Sequence, residues 1–276
     1  MTLPTYVGRL APTPTGLLHL GHAATFLTAH QRAQTRKGRL LLRIDDIDSA
    51  RCREEYIDAA LTDLAWLGIR WEGDPLRQSE RRNHYLQAWR NLRDGGHIYP
   101  CQRSRRDIQS TQAPHEEEPV FPKEWRTDPQ AARDFAEPGG VNWRFRVPDG
   151  EQITFHDGRL GMITKTAGID FGDFLVWNRL DVPAYELASP LDDARFQITE
   201  IVRGEDLLTS TARQILIFRA LGFQPPATFH TPLLRDTHGN RLAKRSQSLA
   251  ISTLRNRNIP PHKVITMALD RTAIVD

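Results

Sequence analysis

Ala11-Pro12-Thr13-Pro14-Thr15-Gly16-Leu17-Leu18-His19-Leu20-Gly21-His22 follows a short apolar run at 6–10 and leads into Ala23-Ala24-Thr25-Phe26-Leu27. The apolar run predicts a strand. Pro12, Pro14 and Gly16 predict a bend, and the apolar residues from Leu20 onward predict a helix. A strand that turns directly into a helix is the opening unit of a parallel α/β sheet, so this stretch decides the fold class. It also carries chemistry. A helix start presents backbone N–H groups that attract phosphate. His19 and His22 add side-chain donors at the same place, and Gly21 leaves room for a ligand to approach the backbone. Taken alone, H-x-G-H is a short and common pattern. Its weight comes from the strand before it, the helix after it and a basic segment far downstream.

That segment is Arg241-Leu242-Ala243-Lys244-Arg245, preceded by Asp236-Thr237-His238-Gly239-Asn240. Asp, Gly and Asn mark turns and loops. A lysine on such a loop can neutralise phosphate charge that grows during a displacement; a solvated basic loop is the plain alternative.

Working outward, the pattern remains strand and helix in alternation. Residues 38–44 form a continuous apolar run suited to a strand buried on both faces. Tyr56, Ile57, Ala60, Leu61, Leu64 and Leu67 recur at helical spacing over 54–67, and Gly68 is placed to stop that helix. A second amphipathic helix is predicted over 81–92. From 99 to 170 seven prolines, Pro100 through Pro148, break any long helix. Short strands are predicted at 141–147 and 152–155, with Asp149-Gly150 as a hairpin turn between them. The sheet pattern then resumes with strands at 174–177 and 184–187 and a helix over 209–221. The expected division is 1–98 for the first half of the catalytic domain, 99–170 for an insertion, 171–235 for the second half, and 236–276 for a loop and helical segment.

The chain has 276 residues, 39% of them hydrophobic and 26% charged, with a net charge of +3. That length supports one large or two modest domains with ample core. No run of about 18 apolar residues suggests a membrane span, and no basic-then-apolar leader opens the chain. Two cysteines, Cys52 and Cys101, suggest a reducing compartment, so a cytoplasmic location is expected. Two stretches are basic without an acid: Arg32, Arg36, Lys37, Arg39 and Arg43, and Arg241, Lys244, Arg245, Arg255 and Arg257. Each has two open readings, contact with RNA phosphates or an ordinary solvated face.

Together these blocks resemble the class I aminoacyl-tRNA synthetases, in their glutamate branch. The stretch around His19 and His22 is similar to the first signature of that family, and Arg241 to Arg245 to a degenerate second one. Arg9-Leu10-Ala11-Pro12-Thr13-Pro14-Thr15-Gly16, Arg43-Ile44-Asp45-Asp46-Ile47-Asp48 and Glu200-Ile201-Val202-Arg203-Gly204-Glu205-Asp206-Leu207 resemble further blocks, in the family's order. The resemblance implies an α/β fold: a class I synthetase Rossmann-like parallel sheet, an inserted subdomain like one that binds a tRNA acceptor arm, and a short C-terminal helical or loop segment. It implies a ligase that forms an aminoacyl-adenylate from ATP, with Mg2+ as companion. His19, Gly21, His22 and Lys244 fall at ATP-binding positions, with Lys244, His19 and His22 catalytic. Arg9, Ala11, Thr13, Asp45, Tyr185 and Arg203 fall at glutamate-binding positions, where an arginine fork suits a planar carboxylate.

No segment here resembles the large anticodon-reading domain of discriminating glutamyl enzymes. The likeness is to the short glutamyl-Q branch, which attaches glutamate to the queuosine base in the anticodon loop of tRNA(Asp). The partners expected on that resemblance are tRNA(Asp) and glutamate, with no membrane, and a monomer. Two rivals stay open: an adenylating enzyme with a non-tRNA acceptor, and a non-catalytic RNA-binding paralogue. Several positions depart from the pattern. Asp45 is one methylene shorter than the usual glutamate, which leaves a deeper-seated substrate, a bridging water or another amino acid open. Ser189 replaces an asparagine, Leu207 a tryptophan and Ala243 a serine. Many relatives hold zinc in the insertion through a Cys-x-Cys pair, a tyrosine and a later cysteine. Only Cys101 remains of that set; Arg103, Phe121 and Trp125 stand at the other three positions. Because a structural zinc needs about four ligands, no zinc is expected, even with His97 and His115 nearby. Apolar packing of Phe121 and Trp125 is expected instead.

Overall fold

The computed structural model describes residues 5–103, residue 107, and residues 120–234 and 249–270. The chain divides into two compact units: residues 1–80, 198–207 and 227–276, and residues 81–197 and 208–226.

The first unit is a parallel sheet with helices. β1 (Val7–Leu10) pairs in parallel with β2 (Arg39–Ile44), which pairs in parallel with β3 (Leu76–Arg77). β9 (Glu200–Gly204) pairs in parallel with β10 (Ala227–Thr231). The two sections meet where the Thr199 N–H donates to the Val7 carbonyl at 2.8 Å. The strands are buried almost throughout, which is why they read as apolar runs and not as alternation. α1 (Leu20–Thr35) lays Leu20, Ala23, Ala24, Phe26, Leu27 and Ala29 on the sheet and on α7 (Pro261–Asp270). α2 (Glu54–Trp66) meets the short helix α6 (Ile251–Asn256). Gly68 takes φ +75 just past α2, the left-handed turn that a β-carbon would strain.

The four arginines of the basic stretch from Arg32 to Arg43 each meet an acid. The Arg32 guanidinium forks onto Glu200 at 2.6 and 2.7 Å, Arg36 approaches Glu200 at 3.4 Å, and Arg39 pairs with Glu72 at 2.9 Å. Arg43 is buried beside Asp45. The Tyr6 hydroxyl also donates to Glu200. Burial pushes the Glu200 carboxyl upward, but Arg32, Tyr6 and Arg36 together outweigh it and hold the group below its ordinary value. In the second stretch, Arg255 lies 3.4 Å from the fully buried Asp63 of α2.

Asp63 supports a first prediction. Burial raises its carboxyl to about 6 despite Arg255. A raised acid favours the neutral form in the fold, so stability declines as pH rises from about 4 to about 6 and stays lower above that. Two pH units correspond to about 3 kcal/mol. Asp63→Asn, which mimics the neutral acid, is expected to be the more stable chain at pH 7.5 and to lose that advantage by pH 4. Urea unfolding at the two pH values checks this; an advantage independent of pH would refute it.

The second unit holds α3 (Arg82–Asp94), an antiparallel sheet of β4 (Ile98–Cys101), β5 (Asn142–Phe145) and β8 (Phe174–Trp177), and a hairpin of β6 (Gln152–Asp157) and β7 (Gly161–Thr166). α4 (Tyr185–Arg195) packs on α5 (Leu208–Ala220). Two expectations fail here. Asp149-Gly150 does form a turn, with Gly150 at φ +84, but it joins strands of different pairings. The hairpin lies one strand later, where Asp157 accepts from the N–H groups of Arg159 and Leu160. The strand predicted at 184–187 is instead the first turn of α4. Leu187, Ala188 and Leu191 recur on a helical period, and Pro190 does not break the helix. Among the described residues no helix is long and apolar enough to cross a membrane.

Candidate active site

The strand-to-helix turn forms as its composition requires. Thr15 N–H donates back to the Thr13 carbonyl at 2.9 Å, and α1 begins at Leu20. His19 is its N-cap: Nδ1 accepts the Gly21 N–H at 3.1 Å, while the His19 N–H donates to His22 Nδ1 at 3.2 Å. This is a capping box built from two imidazoles, stacked with centroids 3.8 Å apart. Because both Nδ1 atoms accept, the neutral rings carry their protons on Nε2, which leaves each ring a donor. A β-carbon on Gly21 would sit 2.9 Å from the His19 ring, so the glycine is needed for the cap itself.

The cap separates two roles. His19→Ala is expected to cost about 1 kcal/mol of stability together with activity, whereas His19→Asn keeps the cap. Urea midpoints and ATP–pyrophosphate exchange compared across both variants test this. Exchange surviving in His19→Asn would show that only the cap matters.

Neighbouring strand ends converge on the same turn. Asp45, just past β2, donates its N–H to the Pro12 carbonyl at 3.0 Å, and Arg53 donates to Pro14 at 3.1 Å. The loops after β1 and β2 are therefore joined at the carboxyl edge of a parallel sheet, where open α/β folds bind ligands. Arg9 on β1 is 5% exposed, and its Nη1 donates to the Val202 carbonyl at 3.3 Å; Arg203 on β9 is also 5% exposed. Ala11 and Thr13 lie in the same loop. Arg9 is in register with Leu41, so Arg9, Leu41 and Arg43 share one face of the sheet, and Asp45, just past the strand, pairs with Arg43. The register alone decides that Arg43 belongs to this face. The sequence offered the i, i+2 spacing of Arg43 and Asp45 as a signal, but a basic stretch obscured it.

Tyr185 opens α4 in the second unit and Ser189 is buried in the same helix. Lys244, Ala243 and the rest of 241–245 lie outside the described residues. Their C-terminal flank is described. Ala250 bridges to His19 and the Ile251 N–H donates to the Leu18 carbonyl at 2.8 Å, so the chain leaving that segment is pinned to the histidine turn.

Cys101, Tyr99 and Phe121 are buried together with Trp125 against them. Phe121 and Trp125 meet edge to face at 5.7 Å; Arg144 covers Phe121 at 4.4 Å and Arg103 covers Trp125 at 4.6 Å. One thiol among aromatic rings and guanidinium groups does not fit a zinc ion. His97 stacks on Phe145, and burial lowers its pKa; His115 lies outside the described residues. The packing supplies roughly 1 to 3 kcal/mol from ring and cation–π contacts. Purified protein is expected to contain no stoichiometric zinc and to keep its thermal midpoint in excess chelator; a zinc ratio near one overturns this.

A family model described as tRNA synthetases class I (E and Q), catalytic domain, matches residues 6–274. The chain belongs to this family. It is 40% identical over 283 residues to the glutamyl-Q tRNA(Asp) synthetase of Rhodopirellula baltica, covering 95% of this chain and 83% of that one. A protein of the same name from Symbiobacterium thermophilum is 40% identical, covering 98% and 87%. The glutamate--tRNA ligase of Trichodesmium erythraeum is 36% identical over 92% of this chain but only 30% of its own length. In fold, the chain is similar to glutamate-tRNA synthetase from Elizabethkingia anophelis, with a TM-score of 0.81 and 23% identity, covering 99% of this chain and 64% of that one. It therefore spans less than two thirds of that solved chain.

Proposed function

We propose that this chain activates glutamate with ATP and transfers it to the queuosine base in the anticodon loop of tRNA(Asp). The observation that carries the reading is the junction at the sheet edge. A helix start capped by His19 and His22, the two loops joined through Asp45 and Pro12, and the buried Arg9 and Arg203 belong to one compact unit. The names of the relatives support the glutamate and queuosine parts.

A glutamate carboxylate oxygen attacks the α-phosphorus of ATP. A new P–O bond forms, the bond to the bridging oxygen breaks, and pyrophosphate leaves with that electron pair. Both reactants are anionic, so the protein acts by positioning and charge neutralisation. His19 and His22 donate from Nε2 to the phosphates, the α1 N-terminus adds its dipole, and Lys244 meets the growing charge. Arg9 and Arg203 take the glutamate side-chain carboxylate, Asp45 the ammonium, with Ala11 and Thr13 in the same loop; the resemblance gives Tyr185 a glutamate-binding position as well. In the second step the acceptor attacks the adenylate carbonyl and AMP leaves. Mg2+ accompanies ATP and shares the neutralisation of its phosphates. Among the described residues no group of three or more His, Cys, Asp or Glu is placed to hold a metal.

The functional division at 1–98, 99–170, 171–235 and 236–276 belongs to the same proposal, as do a cytoplasmic location and a monomer. Cys52 and Cys101 are both free thiols, in keeping with a reducing compartment. The test is ATP–pyrophosphate exchange across all amino acids without RNA, followed by transfer of labelled glutamate to tRNA with and without queuosine. Glutamate-dependent exchange and queuosine-dependent label are expected. Exchange without transfer would assign another acceptor, and no exchange at all would leave RNA binding alone.

A further inference from the structure

Arg43 has no part in the reading above, yet it is paired directly with Asp45. Its Nε donates to Asp45 Oδ1 at 2.6 Å and its Nη2 to Oδ2 at 3.2 Å. Arg43 is 2% exposed and Asp45 7%. Arg43 is on the face of β2 that also carries Arg9, and its bonds to Asp45, just past the strand, bring the carboxylate to the same side. A planar guanidinium gripping both oxygens of a carboxylate fixes its plane as well as its place. Lysine, a point charge, cannot do the second. Burial makes the pair more than a surface contact, because a buried carboxylate stripped of its partner is strongly disfavoured.

We infer that Arg43 is a positioning residue of the amino-acid site: it holds the Asp45 carboxylate ionised and oriented so that this carboxylate can receive the substrate's ammonium. The two-point grip compensates for the burial of Asp45. The substrate's ammonium then meets a carboxylate whose plane is already set by the guanidinium. The inference rests on the proposed role of Asp45, and the experiment keeps the two apart.

Four variants are compared by ATP–pyrophosphate exchange, with KM read separately for glutamate and for ATP: Arg43→Met, Arg43→Lys, Asp45→Asn and the Arg43→Met/Asp45→Asn double. Arg43→Met is expected to raise the glutamate KM by at least about tenfold, with the ATP KM unchanged. Arg43→Lys falls between it and the parent. Since Arg43 acts through Asp45, the double variant is expected to be no worse than Asp45→Asn alone. Replacing both members of a buried pair also leaves no orphan charge, so the double variant reports even where Arg43→Met folds poorly. A glutamate KM unmoved in Arg43→Met while Asp45→Asn raises it overturns the inference alone. So does a double variant whose losses multiply, or a fall in kcat with neither KM changed. A glutamate KM unmoved in Asp45→Asn removes the proposed role of Asp45, and with it the inference.

Discussion

Lys244→Ala is expected to slow ATP–pyrophosphate exchange by about a hundred- to a thousandfold, the range seen when one preorganised donor to developing charge is removed. The displacement at the α-phosphorus concentrates negative charge that no residue of the histidine turn can neutralise in full, since His19 and His22 are neutral donors by their hydrogen bonds. On the proposed reading, the Lys244 ammonium is the missing cation. The bridge between Ala250 and His19 ties the far flank of that segment to the turn. The effect therefore belongs in kcat more than in the KM for ATP. Fold stability is expected to stay at the parent value, which urea unfolding checks. Exchange at the parent rate would remove Lys244 from the chemistry.

The second large effect is expected at Arg203. Arg203→Leu should raise the glutamate KM by about a hundredfold, corresponding to about 3 kcal/mol for charge-assisted bonds lost from a buried guanidinium. Glutamine should suffer less, because its amide presents no charge to that guanidinium, so discrimination between the two amino acids should narrow. Exchange measured with both substrates checks this. An equal loss for glutamate and glutamine would mean that Arg203 supports the sheet edge without reading the side-chain carboxylate. The same comparison at Arg9 is less clean, because its Nη1 is also bonded to the Val202 carbonyl and its removal disturbs the junction of β1 and β9.

Much of this was legible in the chain. The run before Pro12 is β1, and the residues from Leu20 form α1 because nothing in Leu20-Gly21-His22-Ala23-Ala24 interrupts a helix once His19 caps it. The helices near 54–67 and 81–92 followed from period and terminal glycines. The failures share a cause. Asp149-Gly150 has the composition of a hairpin turn, but a turn residue specifies the bend and not the partner. β5 pairs with β4 and β8, set far apart along the chain. Residues 184–187 carry the alternation of a strand for only four positions, too few to outweigh the helical set Leu187, Ala188 and Leu191 that packs on α5. The basic stretch between Arg32 and Arg43 illustrates the same limit. Spacing along the chain does not reveal that Glu200 comes to lie beside Arg32 and Arg36.

By itself the sequence determined local matters: where the strand bends, where the helix begins, which residues carry donors and charge, and to which family they point. Each depends on neighbours within a few positions, whose sterics and backbone hydrogen bonds act without the rest of the molecule. Only the tertiary structure decided which charges are spent and which remain for a ligand. Burial multiplies electrostatic interactions and register sets the face each side chain occupies, and both arise when segments nearly two hundred residues apart share one sheet.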